Sequence, residues 1–225
     1  MKFENTDVWG FEHALRGMRN PMNSWNKSDS DFSIYIEDRN NIVVNNNIGK
    51  NDLKLAQTLI KAGSEHRKFL RQIFVSADIT APLYWWKEFD TYKVGTVSNS
   101  TSTMHKLASI PITKDCFELD DYDNFFIDRL NLNEYLYNTI GLLESLRREY
   151  NKTKDKKYWK ELIRFLPESW LQKRTITMNY ENILNIIHQR KNHKLNEWSG
   201  IDNPSNENFI TWVKTLPYAN ELLFL

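Results

Sequence analysis

Every residue from Thr96 to Thr103 except Val97 is Ser, Thr or Asn. These side chains donate and accept hydrogen bonds without bringing charge, which suits a loop that meets a phosphate, a sugar or a heterocycle. Lys87 and Lys93 precede the run and His105 follows it. A second series, Asn179, Asn185, Arg190 and His193, projects amide, guanidinium and imidazole groups from a helix that follows a short strand. A guanidinium can grip a phosphate through two parallel bonds, and an asparagine can read a heterocycle edge. Each series also has a plainer reading, as a surface turn and as a solvated helix face.

Other chemistries find little support. The five histidines are scattered. His188 and His193 fall on different faces of one helix, so no metal site is expected. Cys116 is the only cysteine, which rules out a disulfide framework, fits a reducing cytoplasm and sets the expectation of a cytoplasmic protein. Asp115 and Glu118 beside it disfavour a thiolate. No Gly-x-Gly-x-x-Gly, Walker loop or nucleophile elbow is present, which removes the common nucleotide folds and hydrolases. Ser64-Glu65-His66 reads as a helix exit rather than part of a triad. Thirty basic against 29 acidic residues leave a net charge of +1 without a basic stripe, so duplex nucleic acid is disfavoured. No signal peptide and no apolar run of membrane-spanning length is read, so no membrane partner is expected. Aromatics are abundant, with 8 Trp, 10 Tyr and 12 Phe, enough to serve a core and interfaces together.

The elements that must position these residues follow from periodicity. Val8 to Arg19 is apolar at helical spacing until Asn20-Pro21 stops it. Asn23 to Asp31 is a polar turn, and Ile34-Tyr35-Ile36 and Ile42-Val43-Val44 are short strands or loop anchors. Asp52 is expected to cap a helix carrying Leu53, Ala56, Leu59 and Ile60, which ends at Gly63. Ile73 to Thr80 alternates as a strand, Ala81-Pro82 breaks it, and Pro82 starts a helix from Leu83 to Asp90. The hydroxyl-rich run is expected as a loop. Helices are expected at Leu130 to Tyr150 and Lys157 to Phe165, then a strand at Arg174 to Asn179. The next helix carries Ile183, Leu184, Ile186 and Ile187. A last one, Asn208 to Leu223, is interrupted at Leu216-Pro217. The sum is one α+β domain over residues 1–225, with long helices around a small mixed sheet.

Read together, the two polar segments resemble the flavin-dependent thymidylate synthases. That family shows a strand ending in Ala-Pro, a helix with Arg-Gln-Trp, then Arg-His-Arg-x-x-Ser-x-Asn-Glu-x-Ser-x-Arg. Here Ala81-Pro82 is followed at matching spacing by Lys87-Glu88-Phe89, and the signature falls on Thr91 to Thr103. A shift of one residue would place Asn99 and Ser102 on the family Asn and second Ser. His66 matches a family His that opens a flavin-contacting turn, with Lys68 and Arg71 where Thr and Glu are expected. Downstream come Leu166-Pro167, Asn179, Glu181 in place of an Arg, Asn185, Arg190 and His193.

The resemblance implies reductive methylation of dUMP at C5, with FAD as cofactor and NADPH and methylenetetrahydrofolate as co-substrates. It implies a homotetramer with sites between subunits. It assigns catalysis to Arg190, Thr101 and Ser102, and substrate binding to Lys87, Glu88, Thr96, Asn99, Thr101, Ser102 and Arg190. Cofactor binding falls to His66, Tyr92, Lys93, Asn179, Asn185 and His193. The departures are electrostatic: Thr91 and Tyr92 bring no positive charge, and Lys93 replaces a planar fork by a point charge. Losing one buried charge-assisted contact costs about 1.5–3 kcal/mol, roughly ten- to hundredfold in affinity. Lys87, Lys68, Arg71 and Arg16 or Arg19 are the cations available to compensate. Two alternatives remain: a flavin-free pyrimidine-nucleotide-binding or base-modifying relative, and a non-catalytic structural or assembly protein of the same fold.

Overall fold

The structure, a computed structural model, describes residues 1–36, 42–44, 47–119 and 132–225. The chain opens with β1 (Lys2–Trp9), and Gly10 turns it into α1 (Phe11–Arg19). The helix expected from Val8 therefore begins at Phe11, because Val8 and Trp9 pair with Val75 and Phe74 in a sheet. Gly10 has φ 96, and a Cβ there would lie 2.1 Å from the Gln72 carbonyl oxygen, so glycine is required at this corner. Next come the antiparallel pair β2 (Ile34–Ile36) and β3 (Ile42–Val44), then α2 (Lys50–Lys61).

Asp52 does not cap α2. The Asp29 carboxylate accepts the Asn51 and Asp52 amides at 2.9 and 3.1 Å, while the Asp52 side chain turns inward. There it accepts Arg19 Nε and the Ser28 and Ser30 hydroxyls, each at 2.5 Å. Burial pushes the Asp52 carboxyl up, but the two hydroxyls and the Arg19 guanidinium outweigh it and hold it below the usual carboxylate range.

A 3₁₀ turn at Arg67–Gln72 leads into β4 (Phe74–Pro82), α3 (Leu83–Phe89), β5 (Val97–Ser100) and α4 (Thr103–Lys106). The described chain resumes at α5 (Leu132–Thr153), followed by α6 (Lys156–Arg164), β6 (Leu171–Asn179) and α7 (Tyr180–Arg190). It closes with α8 (Asn196–Ser199), α9 (Phe209–Lys214) and α10 (Ala219–Leu222). Leu130, the expected start of α5, lies outside the described residues.

The main sheet has the order β1-β4-β6-β5 and is antiparallel at every pairing, not mixed as expected. Val75, Ala77, Ile79, Ile176 and Met178 point to one face and are buried; Ser76, Asp78, Thr175 and Thr177 point to the other. On that outer face Asp78 accepts the Thr175 hydroxyl at 2.6 Å and Asn5 Nδ2 at 2.9 Å. The hydroxyl-rich run is itself part of the sheet: β5 pairs with β6, Val97 opposite Thr177 and Ser100 opposite Arg174.

The inner face packs on α1, α3, α7 and the C-terminal helices. Trp85, fully buried, stacks between Phe89 at 5.2 Å and Trp198 at 4.4 Å. Its indole N–H has no partner among the described residues. A second apolar cluster joins Leu107, Ile112, Phe117 and Trp170 to Leu143 of α5 and Leu162 of α6. Beside it Glu144 accepts Arg147 at 2.7 Å, the Ile112 amide at 2.9 Å and Arg148 at 2.8 Å. The Arg147 hydrogen bond dominates over desolvation, and with the Ile112 and Arg148 bonds it draws the Glu144 carboxyl down to about 2.

Candidate functional site

The expected site residues fall in three places. At the C-terminal end of α7, Arg190 is enclosed by its own chain. Its Nη1 lies 2.9 Å from Glu88 Oε2 and its Nε donates to the Tyr92 hydroxyl at 2.8 Å. The guanidinium also lies over the rings of Trp198, at 5.1 Å, and Tyr92, at 5.7 Å. Glu88 Oε2 additionally accepts Trp198 Nε1 at 2.7 Å and faces His193 Nε2 at 3.6 Å. His193 Nδ1 accepts the Leu195 amide at 3.1 Å, so Nε2 is the nitrogen that carries hydrogen toward Glu88. The Tyr92 hydroxyl donates in turn to Gln189 Oε1 at 3.0 Å. Arg190, Glu88, Tyr92 and His193 are thus brought together, as an internally matched cluster.

The second place is the start of α7. Asn179 is its N-cap: the side chain accepts the Asn182 amide at 3.0 Å, and Asn182 Oδ1 accepts the Asn179 amide at 3.1 Å. Asn182 Nδ2 also donates to the Val94 carbonyl at 2.7 Å, tying down the turn before β5. Gly95 in that turn has φ +74 and approaches Asn179 and Asn182, each 3.1 Å from where a Cβ would sit. The Thr96 hydroxyl is buried there without a partner among the described residues. One turn along α7, Glu181 is ion-paired with both Arg71 and Arg67, and Arg67 Nη2 donates to Asn185 Oδ1 at 3.0 Å. The two positions where the resemblance expects Glu and Arg carry Arg71 and Glu181, and these two residues meet. His66 is exposed and lines a separate cleft of about 750 Å³ with Met18, Leu55, Leu59, Lys68 and Arg71.

The third place is a cleft of about 420 Å³ between the end of the outer sheet face and the segment after β5. Thr101, Ser102, Thr103, Lys106, Gln172 and Lys173 line it, with Trp170 and Ile110 as apolar wall. The Ser102 hydroxyl accepts the His105 amide at 3.2 Å and caps α4. Lys173 is shared with Glu4 at 3.0 Å and Asp78 at 3.4 Å, whereas Lys106 has no ion-pair partner among the described residues. Asn99 stands on exposed β5 opposite Thr175, Lys93 is exposed, and Lys87 is exposed and pairs with Glu168 at 2.5 Å. Sequence reasoning missed Lys106, Gln172 and Lys173. Lys106, just past the hydroxyl run, was the one signal in reach; the other two need the β5–β6 pairing to be placed.

No family model matches this sequence, and no curated protein does. Solved structures do match. The flavin-dependent thymidylate synthase ThyX from Helicobacter pylori, complexed with FAD and dUMP, is 14% identical over 100% of this chain and 98% of its own, with a TM-score of 0.66. This chain shares the fold of a flavin-dependent thymidylate synthase. A second structure of the Helicobacter pylori enzyme with FAD and dUMP, at 2.31 Å resolution, agrees with the same identity and TM-score over 97% of its chain.

An FAD, anionic at its pyrophosphate, would meet α7 residues that already hold internal partners. The positive charge of Arg190 is matched by Glu88, while Arg67 and Arg71 share the single Glu181 carboxylate, which balances one of their two charges. Asn179 caps its own helix and Asn185 holds Arg67. An incoming ligand would have to displace these pairs and leave a carboxylate behind. Of the cations that sequence offered as compensation, Arg19 serves Asp52, Arg71 serves Glu181 and Lys87 serves Glu168, whereas Lys68 and Arg16 are exposed, line other clefts and have no ion-pair partner among the described residues. Among the described residues no cluster of His, Cys, Asp or Glu is arranged to hold a metal ion, and no helix is long and apolar enough to cross a membrane.

Proposed function

We propose that this chain binds a pyrimidine nucleotide of the dUMP class in the Thr101–Lys106 cleft and does so without a flavin. The carrying observation is that the end of the hydroxyl run, Thr101 to Thr103, an unpaired Lys106 and an apolar wall at Trp170 converge on one cavity of about 420 Å³. That volume lies within the range of roughly 300–1,000 Å³ that small-molecule sites occupy. Lys106 supplies the charge for a phosphate, Thr101, Ser102 and Thr103 supply uncharged donors and acceptors, and Trp170 with Ile110 bounds the apolar side. The fold supports the nucleotide class, because the similar Helicobacter pylori structures hold dUMP.

The test is the visible spectrum of freshly purified protein together with its melting temperature with and without dUMP. The expected result is no flavin band and a dUMP-dependent rise in melting temperature that Lys106→Ala reduces. A yellow protein, or one indifferent to dUMP, overturns the proposal.

A second reading is favoured by the FAD in the same two structures. It is the family reaction, methylation of dUMP at C5 using methylenetetrahydrofolate and NADPH, on a homotetramer. It requires Arg190 to leave Glu88 when ligand arrives. Growth of a thymidine-requiring strain on this gene alone would establish it.

A further inference from the structure

We propose that Arg174 and Gln172 of β6 are positioning residues that hold the Thr101–Ser102 turn in register with the nucleotide cleft, a role that rests on the binding reading above. Gln172 is buried, and its Nε2 donates to the Thr101 carbonyl at 2.9 Å. Its Oε1 accepts Arg174 Nε at 3.0 Å. Only this amide orientation satisfies both neighbours, because a guanidinium solely donates and a carbonyl solely accepts. Arg174 is fixed in turn. Its Nη1 donates to Asp90 Oδ1 at 2.7 Å, and its guanidinium lies 4.2 Å from the centre of the Trp86 ring.

Trp86 closes the arrangement by donating Nε1 to the Gln172 carbonyl at 2.9 Å. The Thr101 amide meanwhile donates to the Lys173 carbonyl at 2.9 Å, one residue beyond the last β5–β6 pair. The backbone of Thr101 is therefore held at both its N–H and its C=O by consecutive residues of β6. Ser102, Thr103 and Lys106 follow directly, so their placement depends on the relay Asp90–Arg174–Gln172. Neither Asp90 nor Arg174 lines the cleft itself. Their effect on a ligand has to pass through the turn.

The experiment compares wild type with Arg174→Met, which keeps a stem against Trp86 and removes both donors, and with Asp90→Asn. Amide hydrogen exchange is followed by peptide mass spectrometry without ligand, and dUMP affinity by calorimetry. Arg174→Met is expected to speed exchange across residues 101–106 about tenfold, leave β4 unchanged and weaken dUMP about tenfold, the effect of one lost charge-assisted bond. Asp90→Asn is expected to do the same to a smaller degree, and it carries the test if Arg174→Met does not fold.

Unchanged exchange at 101–106 overturns the relay whether or not dUMP binds. Faster exchange with unchanged dUMP affinity overturns the positioning role and leaves the binding reading intact. Failure of the wild type to bind dUMP removes the binding reading and the affinity role with it, while exchange still reports on the anchor.

Discussion

The end of α7 and the Thr101–Lys106 cleft both gather polar side chains against an aromatic wall, but they differ in whether those side chains still have capacity to offer. Around Arg190 the charge and the Nε and Nη1 donors have internal partners in Glu88, Tyr92 and the Trp198 ring. In the cleft, Lys106 has none among the described residues, and three adjacent hydroxyl residues line open space. Residue type alone gives the first region the stronger claim to a ligand. Partner geometry gives it to the second. A partly buried arginine that already has its carboxylate is part of the scaffold, and its removal strands that carboxylate.

The sharpest way to break this contrast is Arg190→Ala. It should lower unfolding free energy by about 2 kcal/mol, below the value for a fully buried pair because Glu88 is partly exposed. dUMP affinity should stay within about twofold. Urea denaturation and calorimetry read both; lost affinity with intact stability would reverse the assignment of the two regions. Lys106→Ala should behave oppositely, weakening dUMP about tenfold while the melting temperature without ligand stays put.

A smaller effect is expected from the Arg71–Glu181 pair at the start of α7. Arg71→Glu and Glu181→Arg should each lower the melting temperature, and the double variant should recover part of the loss, since only like-charge contacts are created by either change alone. Additive losses would mean that Arg71 and Glu181 do not communicate. A separate effect, confined to acid conditions, concerns Glu144 of α5, which accepts the Ile112 amide. The Glu144 carboxyl titrates at about 2 in the fold against an ordinary 4.5. Its contribution is therefore complete above pH 4.5 and is lost as pH falls toward 2. Glu144→Gln should flatten melting temperature against pH in that window only, and an unchanged slope would dissociate Glu144 from acid stability.

Much of the frame was legible. β4, α3, α7 and the helices on either side of Pro217 sit where alternation and apolar spacing place them, within a residue or two at the ends, although Ala81-Pro82 continues β4 opposite Gln172 and Leu171 instead of breaking it. β1 was not, because its run Lys2–Trp9 mixes charged and amide residues with few apolar ones, as an edge strand permits. β5 was missed for a related reason: Ser and Asn hide a strand that only its pairing with β6 defines. In the site, Arg190 and His193 were found as types, but the neutralising part of Glu88 was invisible. No spacing rule links residue 88 to residue 190; a helix-to-helix contact does. The relation of Lys106 to Thr101 was close in sequence, whereas Gln172 and Lys173 reach the same cleft only through the sheet.

The position of β5 at the end of the sheet carries a consequence for handling the protein. All four of its residues are exposed, and an edge strand presents unpaired backbone groups that can template another chain. Ser98, Asn99 and Ser100 keep that edge hydrophilic, so a stranger's strand gains no dry interface by joining it. Replacing Ser98 and Ser100 by valine would leave the β5–β6 ladder intact yet give the protein a sticky rim. The loss would show as fibrous precipitate and poor yield while the melting curve of the soluble fraction stays unchanged.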